Sequence, residues 1–450
     1  MLEKNSVYLV GVGWIWVSAL ARYYLSKQWK VYWSDSNDSH LIDKLISEWA
    51  DIIIWSDSNR ITKKIDLVIY SEAVPSTQSE LLAANELGIK MLKYNVALAE
   101  IANEHRLIAV AWTHWKSTTT SMISQILKKS TEDFWSVVWT LLKEFHGKNF
   151  FSRGKNNFFV IEACEYKEHF LAYKPHLAVI TNIEYDHADY FKTPKSYVKA
   201  FEDFINKIIP WWFCVINWDD TNAKTLIWLR DDIHYILVSK ESYSTIFPTE
   251  KHTSNTEYYP EIVLNVPGEH ILFDAKIAFI VSQMIGIPEI ISLETLEDYS
   301  GVWRRMEKIG TSDKWNLIMS DYGHHPTEII TTLKAIKSWY PDKQLYVVFQ
   351  PHQYSRTIEL LDWFKDSFKY ADTVIIPNIY ESRDSDDDKA AINTKKLVSE
   401  IHHNNIHDGI SLEHTTELIY SYDRNNPNSS IILLLGAWDV DTLRYKIKTS

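Results

Sequence analysis

The chain has 450 residues, 46% of them apolar and 24% charged, with 47 Lys and Arg against 59 Asp and Glu for a formal charge of −12. That length exceeds a single core and implies two to four domains, and the acidic balance excludes a nucleic-acid binder, which needs basic faces to neutralise phosphate. Two cysteines, Cys164 and Cys214, exclude a disulfide framework and a cysteine zinc site, and fit a reducing cytoplasm. No run of 18 apolar residues exists and no signal-peptide core precedes the first strand, so a cytoplasmic chain without membrane insertion is expected.

In chain order, short apolar runs at Val7 to Val10, Val31 to Trp33, Ile52 to Ile54 and Leu67 to Ser71 alternate with helical stretches up to about Glu104. Such alternation predicts a parallel sheet with helical crossovers. A second α/β unit starts at Leu107 and continues through strands at Phe158 to Ile161, Leu177 to Thr181 and Phe213 to Asn217. Within it the polar stretch Glu241 to Tyr259 reads as a surface excursion, and a helix after Pro267-Gly268 closes the unit. A third unit begins near Gly301, with strands at Leu317 to Ser320, Leu345 to Gln350, Thr373 to Pro377 and Ile431 to Leu435, and an Asp-dense solvated loop from Glu381 to Lys389. The expected fold class is α/β with three domains, 1–104, 105–300 and 301–450.

Nineteen tryptophans against twelve glycines reverse ordinary usage, and the tryptophans stand where phosphate-binding turns need glycine. The first strand runs into Gly11-Val12-Gly13-Trp14-Ile15-Trp16, with Asp35 after the second strand where a ribose-binding acid belongs. With Trp read as Gly this is a dinucleotide-type turn. The strand from Leu107 runs into Trp112-Thr113-His114-Trp115-Lys116-Ser117-Thr118, which with the same reading is a P-loop. Its backbone N–H groups would cradle a triphosphate, Lys116 would hold the outer phosphates, and Ser117 or Thr118 would ligate Mg²⁺. Tryptophan can neither adopt the turn's backbone cheaply nor leave the N–H groups bare. A repeated choice of one rare residue points to UGA codons that mean glycine in the source organism and were written as tryptophan. Trp14, Trp16, Trp33, Trp112, Trp115 and Trp438 lead this set. Trp29, Trp49, Trp55, Trp135, Trp139, Trp218, Trp303 and one of Trp211 and Trp212 extend it, while Trp228, Trp315, Trp339 and Trp363 stay open.

Further motifs follow in order: EACEY at Glu162, TNIEYDHADYF at Thr181, VPGEH at Val266, GVWRRME at Gly301, DYGHHPTEI at Asp321, FQPHQYSRT at Phe349 and GAWDV at Gly436. With GVGWIWVSALA at Gly11 and AWTHWKSTTT at Ala111, this series resembles the Mur ligases, ATP-dependent amide-forming enzymes of peptidoglycan precursor synthesis, over essentially the whole chain. Taken singly, a strand-end Glu162, the pair Arg304-Arg305, and His187, His324, His325 and His352 would be ordinary solvated or structural residues.

The resemblance implies an N-terminal Rossmann-like domain binding a UDP-sugar, a central P-loop ATPase domain and a C-terminal Rossmann-like domain delivering the amino acid. It implies ATP and Mg²⁺, with Glu162 at one magnesium and His187 at a second, although imidazole suits Mg²⁺ less well than oxygen does. Arg305 matches the residue that stabilises the transferring phosphoryl group, and Asp321 the residue that binds the ATP ribose. Tyr322, His324, His325, His352 and Arg356 are implied in binding L-alanine or the muramoyl carboxylate, without separable roles. The implied partners are UDP-N-acetylmuramate and L-alanine. Ile271 and Asp274 stand where the family carries asparagine, leaving the adenine contacts open, as is the oligomeric state. The alternatives are a recycling ligase that joins a whole peptide to UDP-N-acetylmuramate, a catalytically dead scaffold if the P-loop tryptophans are genuine, and a nicotinamide dehydrogenase, which the Lys116-Ser117-Thr118 and Asp186-His187 segments disfavour.

Overall fold

The computed structural model describes the chain except residues 1–4, 12–14, 36–41, 43–44, 47, 49–51, 55–56, 155–157, 188–189, 248–251, 254–255, 383 and 449–450. The expectations at Gly13, Trp14, Trp49 and Trp55 lie outside the described residues. The chain divides into two compact units, Met1–Glu261 with Lys276–Thr295, and Ile262–Ala275 with Leu296–Ser450.

The first unit holds two sheets. In the N-terminal one, β1 (Ser6–Val10), β2 (Lys30–Asp35), β3 (Ile52–Ile54), β4 (Leu67–Tyr70) and β5 (Lys90–Lys93) are all parallel in the order β3-β2-β1-β4-β5. Helix α1 (Ile15–Ser26) follows β1. The run SVYLV of β1 is buried along its whole length, which is why it reads as continuous rather than alternating.

The second sheet contains β6 (Arg106–Val110), β7 (Phe134–Leu142), β8 (Lys148–Arg153), β9 (Phe158–Glu162), β10 (Leu177–Ile180), β11 (Phe213–Asn217), β12 (His234–Val238), β13 (Ser242–Phe247) and β14 (His252–Thr253). Their order is β14-β13-β12-β11-β10-β6-β9-β7-β8, with β15 (Glu257–Tyr258) also on β13. The stretch expected to be a surface excursion therefore extends the sheet. Ser242 to Phe247 pairs antiparallel with β12 through Tyr235↔Ile246 and Val238↔Tyr243, and His252–Thr253 and Glu257–Tyr258 pair in turn with β13. β13 lies next to the sheet edge with most of its side chains only half-buried, and it mixes polar with apolar residues, so its polarity concealed it.

A continuous apolar cluster joins both sheets, from Val7, Leu9 and Val17 through Trp33 to Phe159, Tyr197 and Phe204. The joint between them is also polar. Arg22 on α1 donates through Nε and Nη2 to both Glu48 oxygens, at 3.1 and 2.9 Å, and through Nη1 to Asn149 on β8. Asn149 donates onward to Ser18 Oγ at 3.0 Å.

The second unit carries β16 (Glu307–Thr311), β17 (Leu317–Asp321), β18 (Gln344–Gln350), β19 (Thr373–Ile376), β20 (Ile406–Asp408) and β21 (Ser430–Gly436) in the order β16-β17-β21-β18-β19-β20. Only β16 is antiparallel. Among the described residues no helix is long and apolar enough to cross a membrane.

Candidate functional site

In the first unit the chemistry gathers at the C-terminal ends of β6 and β9, neighbours paired Val110↔Glu162. Such strand ends are where open α/β sheets bind ligands. Helix α2 (Lys116–Lys129) starts immediately after the loop 112–115. Thr113 is pinned by its N–H to the Asn182 carbonyl at 3.2 Å and by its hydroxyl to the Glu184 carbonyl at 2.9 Å. His114 is buried, and its Nε2 lies 2.9 Å from Glu184 Oε2.

Lys116 Nζ donates to the carbonyls of Trp112 and of Thr113 (3.3 Å) and to Glu165 Oε2 at 2.9 Å. Glu165 Oε1 accepts from Tyr197 OH at 3.4 Å and lies 3.4 Å from His187 Nε2. Burial pulls the Lys116 ammonium down, but the Glu165 carboxylate outweighs it and holds the amine above its ordinary value. Burial likewise pushes Glu165 up, and Lys116 and His187 overcome it, so both partners are held charged. Ser117 Oγ donates to Glu162 Oε2 at 2.9 Å, and the Trp139 N–H donates to the other Glu162 oxygen. The structure thus brings Lys116, Ser117, Glu162 and His187 together. Glu165, which sequence reasoning passed over inside the EACEY motif, is the residue that links them.

For magnesium, hard oxygen donors are the right chemistry. Ser117 Oγ and Glu162 Oε2 would offer two, and the buried hydroxyl of Thr118, the next residue of the helix and without a hydrogen-bond partner among the described residues, is a further oxygen candidate. These residues fit the ion; His187 contributes nitrogen only.

The N-terminal turn is described at its ends. Gly11 follows β1 with φ of +80°, and a Cβ there would meet Val74 at 3.0 Å, so glycine is required. Its N–H donates to the Ser34 carbonyl at 2.9 Å, one residue before Asp35, which places Gly11 and Asp35 at adjacent parallel strand ends. Trp16 on α1 packs against Trp139 with ring centroids 5.3 Å apart.

Backbone angles bear on the tryptophans. Of fourteen described non-glycine residues with positive φ, four are Trp: Trp115 at 62°, Trp211 at 68°, Trp228 at 69° and Trp315 at 66°. That region is an outlier for a bulky L-residue and routine for glycine. Trp115 occupies it as the N-cap of α2, with ψ of 14°. Trp211, Trp228 and Trp315 expose 61, 56 and 72% of their surface, so no packing holds them there. Trp33 and Trp112, by contrast, are buried at 1% exposure.

The second unit gathers the remaining candidates at the ends of β17, β18 and β21. Arg304 is turned inward, its Nη2 donating to the carbonyls of Gly436 at 2.6 Å and Trp438 at 3.2 Å. Arg305 lies over the Tyr322 ring at 4.8 Å, with Nη1 3.9 Å from Glu328. Asp321 is buried and accepts from the N–H groups of Met306 at 2.8 Å and Gly323 at 2.9 Å, and burial pushes its carboxyl up. His325 caps helix α3 (Pro326–Trp339), while the His324 N–H donates to Glu328 at 3.0 Å. The rings of His324 and His352 are 6.0 Å apart. His352, Tyr380 and Trp438 form a three-ring cluster, with centroids 5.9 Å apart for His352–Tyr380, 5.7 Å for His352–Trp438 and 5.2 Å for Tyr380–Trp438. Arg356 follows on a short helix, Tyr354–Glu359. Tyr380 escaped the sequence reading because it meets His352 across the ends of β18 and β19, a relation with no local signal.

Comparison with known proteins agrees with this layout. Three family models match in succession: the Mur ligase family catalytic domain over residues 6–106, the Mur ligase middle domain over 110–281 and the Mur ligase glutamate ligase domain over 304–438. A UDP-N-acetylmuramate–L-alanine ligase of Clostridium acetobutylicum is 34% identical over 451 residues, 97% of this chain and 96% of that protein. One from Acetivibrio thermocellus is 34% identical over 463 residues, 98% of this chain and 95% of that protein. Among solved structures, a UDP-N-acetylmuramate–alanine ligase from Thermotoga maritima shares the fold with a TM-score of 0.77 at 22% identity, covering 98% of this chain and 97% of that one. A murein peptide ligase from Psychrobacter arcticus follows at a TM-score of 0.69 and 18% identity, covering 98% of each.

Proposed function

The chain belongs to the Mur ligase family, and we propose that it joins L-alanine to the lactyl carboxylate of UDP-N-acetylmuramate in an ATP-dependent reaction of peptidoglycan precursor synthesis. The observation that carries this reading is the convergence of Lys116, Ser117, Glu162 and His187 on one pair of strand ends. The full-length likeness to alanine ligases selects the amino acid. We divide the chain at 1–104, 105–300 and 301–450, for the UDP-sugar, ATP and amino acid respectively, and assign the reaction to the cytoplasm.

In the reaction, a muramoyl carboxylate oxygen attacks the γ-phosphorus and ADP leaves, giving an acyl phosphate. The alanine amine then attacks the acyl carbon, phosphate departs and the amine gives up a proton. Phosphate is a far better leaving group than hydroxide, which is the reason for two steps. Lys116 compensates charge on the transferring phosphoryl oxygens, the role that the family likeness also gives Arg305. Ser117, Thr118 and Glu162 would hold Mg²⁺, with His187 the family's candidate for a second ion; bound there, the ion neutralises phosphate charge. Tyr322, His324, His325, His352 and Arg356 are assigned to the amino acid and the carboxylate. Asp321, held by one backbone N–H on each oxygen, keeps acceptor sites for a ribose hydroxyl.

The native chain on this reading carries glycine at the phosphate-facing tryptophans. Trp115 is supported twice, by its motif and by its left-handed φ. Of the adjacent pair, Trp211 is the glycine position, because it alone has positive φ; Trp228 and Trp315 join the set for the same reason. ADP release that requires both UDP-N-acetylmuramate and free L-alanine, measured on the chain with glycine restored, tests the assignment. Release that requires a tripeptide in place of alanine would transfer it to the recycling ligase.

A further inference from the structure

Glu165 has no part in the reaction as described, yet it is 1% exposed and touches both Lys116 and His187. An ammonium has three donors. In Lys116 all three are in use, on the Trp112 and Thr113 carbonyls and on Glu165 Oε2. A phosphate oxygen can therefore take the lysine only by displacing one of them. Two are carbonyls of the cradle itself, fixed by the loop, so Glu165 is the partner that must give way.

Once displaced, the Glu165 carboxylate stays buried, with the Tyr197 hydroxyl, His187 and a backbone N–H beside it but no replacement for the Lys116 ammonium that it loses. A buried charge that loses its counter-charge is strongly destabilising. Moreover, the arriving triphosphate is itself anionic and meets Glu162 on the adjoining strand end. A divalent cation entering with the nucleotide replaces the positive charge that Glu165 loses.

We propose that Glu165 is a positioning residue that makes nucleotide binding depend on the divalent cation: it holds Lys116 in the empty cradle and penalises a triphosphate that arrives without a metal. The inference rests on the ATP-site reading above and adds a selectivity that Ser117 and Glu162 do not provide by themselves. Ligation of the metal favours the metal complex; Glu165 disfavours the bare nucleotide.

The test is calorimetric titration of ATP into the full-length chain carrying Trp112→Gly and Trp115→Gly, once in excess Mg²⁺ and once in EDTA, with and without Glu165→Gln. The expected result is that Glu165→Gln raises metal-free affinity and shrinks the Mg²⁺-to-EDTA affinity ratio about tenfold or more, with Mg²⁺ affinity of the nucleotide complex changing by the same factor through linkage. Glu165→Asp, which keeps the charge, should retain most of the ratio. Should Glu165→Gln fail to fold, Glu165→Met removes the charge at similar length and makes the same comparison. A neutral variant that weakens ATP equally in both buffers, or leaves the ratio unchanged, overturns the proposal while leaving the ATP site intact. A parent chain that binds no ATP in Mg²⁺ overturns both.

Discussion

Ser117 Oγ lies 2.9 Å from Glu162 Oε2, although 45 residues separate them in the chain. One is the second residue of the helix after β6 and the other is the last residue of β9. Parallel pairing of the two strands brings their ends level, so the hydroxyl and carboxylate meet without any local signal linking them. If this pair holds Mg²⁺, Ser117→Ala and Glu162→Gln should each raise the Mg²⁺ concentration for half-maximal ADP release. The increase should be at least the ~10- to 100-fold typical of losing even an outer-sphere partner of a metal site. A magnesium titration that superimposes on the parent's would remove these residues from the site.

The tryptophan positions give a prediction independent of activity. Peptide mass spectrometry of protein from the source organism should read glycine at Trp115, Trp211, Trp228 and Trp315, the described tryptophans with left-handed backbone. In recombinant chain carrying tryptophan, Trp228→Gly and Trp315→Gly should stabilise by about 1 kcal/mol each in urea unfolding, since the left-handed conformation costs an L-residue about 1–2 kcal/mol. Tryptophan found at all four positions in native peptides would defeat the recoding.

Arg22 offers a stability test remote from the chemistry. Its side chain is 3% exposed, that of Glu48 is 12% exposed, and together with Asn149 they hold α1 against β8. Arg22→Leu leaves the Glu48 carboxylate and the Asn149 carbonyl without that donor. Removing one partner of a buried pair typically costs about 3–5 kcal/mol. Chemical unfolding should show a loss near the lower end, because Lys148 remains 3.5 Å from Glu48. A loss below about 1 kcal/mol would mean that the pair behaves as a surface contact.

His270 predicts an acid-side stability slope. Burial pulls the His270 imidazole down to about 3, from an ordinary value near 6.5. The folded chain thus keeps the ring neutral where the unfolded chain protonates it. Its contribution is complete above pH 6.5 and is lost progressively as pH falls toward 3, at up to about 1.4 kcal/mol per pH unit from one proton. His270→Gln should flatten the dependence of unfolding free energy on pH across that window. An unchanged slope would show that His270 already titrates normally in the folded chain.

Most of the parallel strands were legible because they read as unbroken apolar runs, and Ser6–Val10 and Phe158–Glu162 are buried along their whole length; Phe213–Asn217 and Ile52–Ile54 match their expected limits. Strands that are only partly buried, such as Lys90–Lys93 and Ser242–Phe247, mix polar and apolar residues and escaped. The site divided in the same way. Lys116, Ser117 and Glu162 belong to contiguous motifs and could be named from the chain alone. The contacts that tie them together, Glu165 to Lys116 and Tyr380 to His352, depend on which strands are neighbours. The first lay within a recognised motif but needed the fold to give it a partner.

Lys116 and the His352–Arg356 segment should separate the two chemical steps. Lys116→Ala, in the chain with glycine restored at 112 and 115, removes a cation that compensates the transferring phosphoryl group. Loss of one such contact costs about 10²- to 10³-fold in rate, or roughly 2.7–4 kcal/mol. Acyl phosphate formation, trapped by borohydride reduction or followed by single-turnover ADP release without alanine, should fall by that factor. His352→Ala and Arg356→Ala should mainly lower the alanine-dependent turnover, through a raised KM for alanine, or impair positioning of the muramoyl carboxylate, and in either case should cost the acyl phosphate half-reaction less than Lys116→Ala does. His352 sits in the stack with Tyr380 and Trp438, in the second unit, whereas Lys116 is bonded to Glu165 in the first. If Lys116→Ala turns over at the full rate, the phosphate cradle is elsewhere. If His352→Ala abolishes acyl phosphate formation as completely as Lys116→Ala does, His352 acts in phosphoryl transfer and the role drawn for it here is wrong.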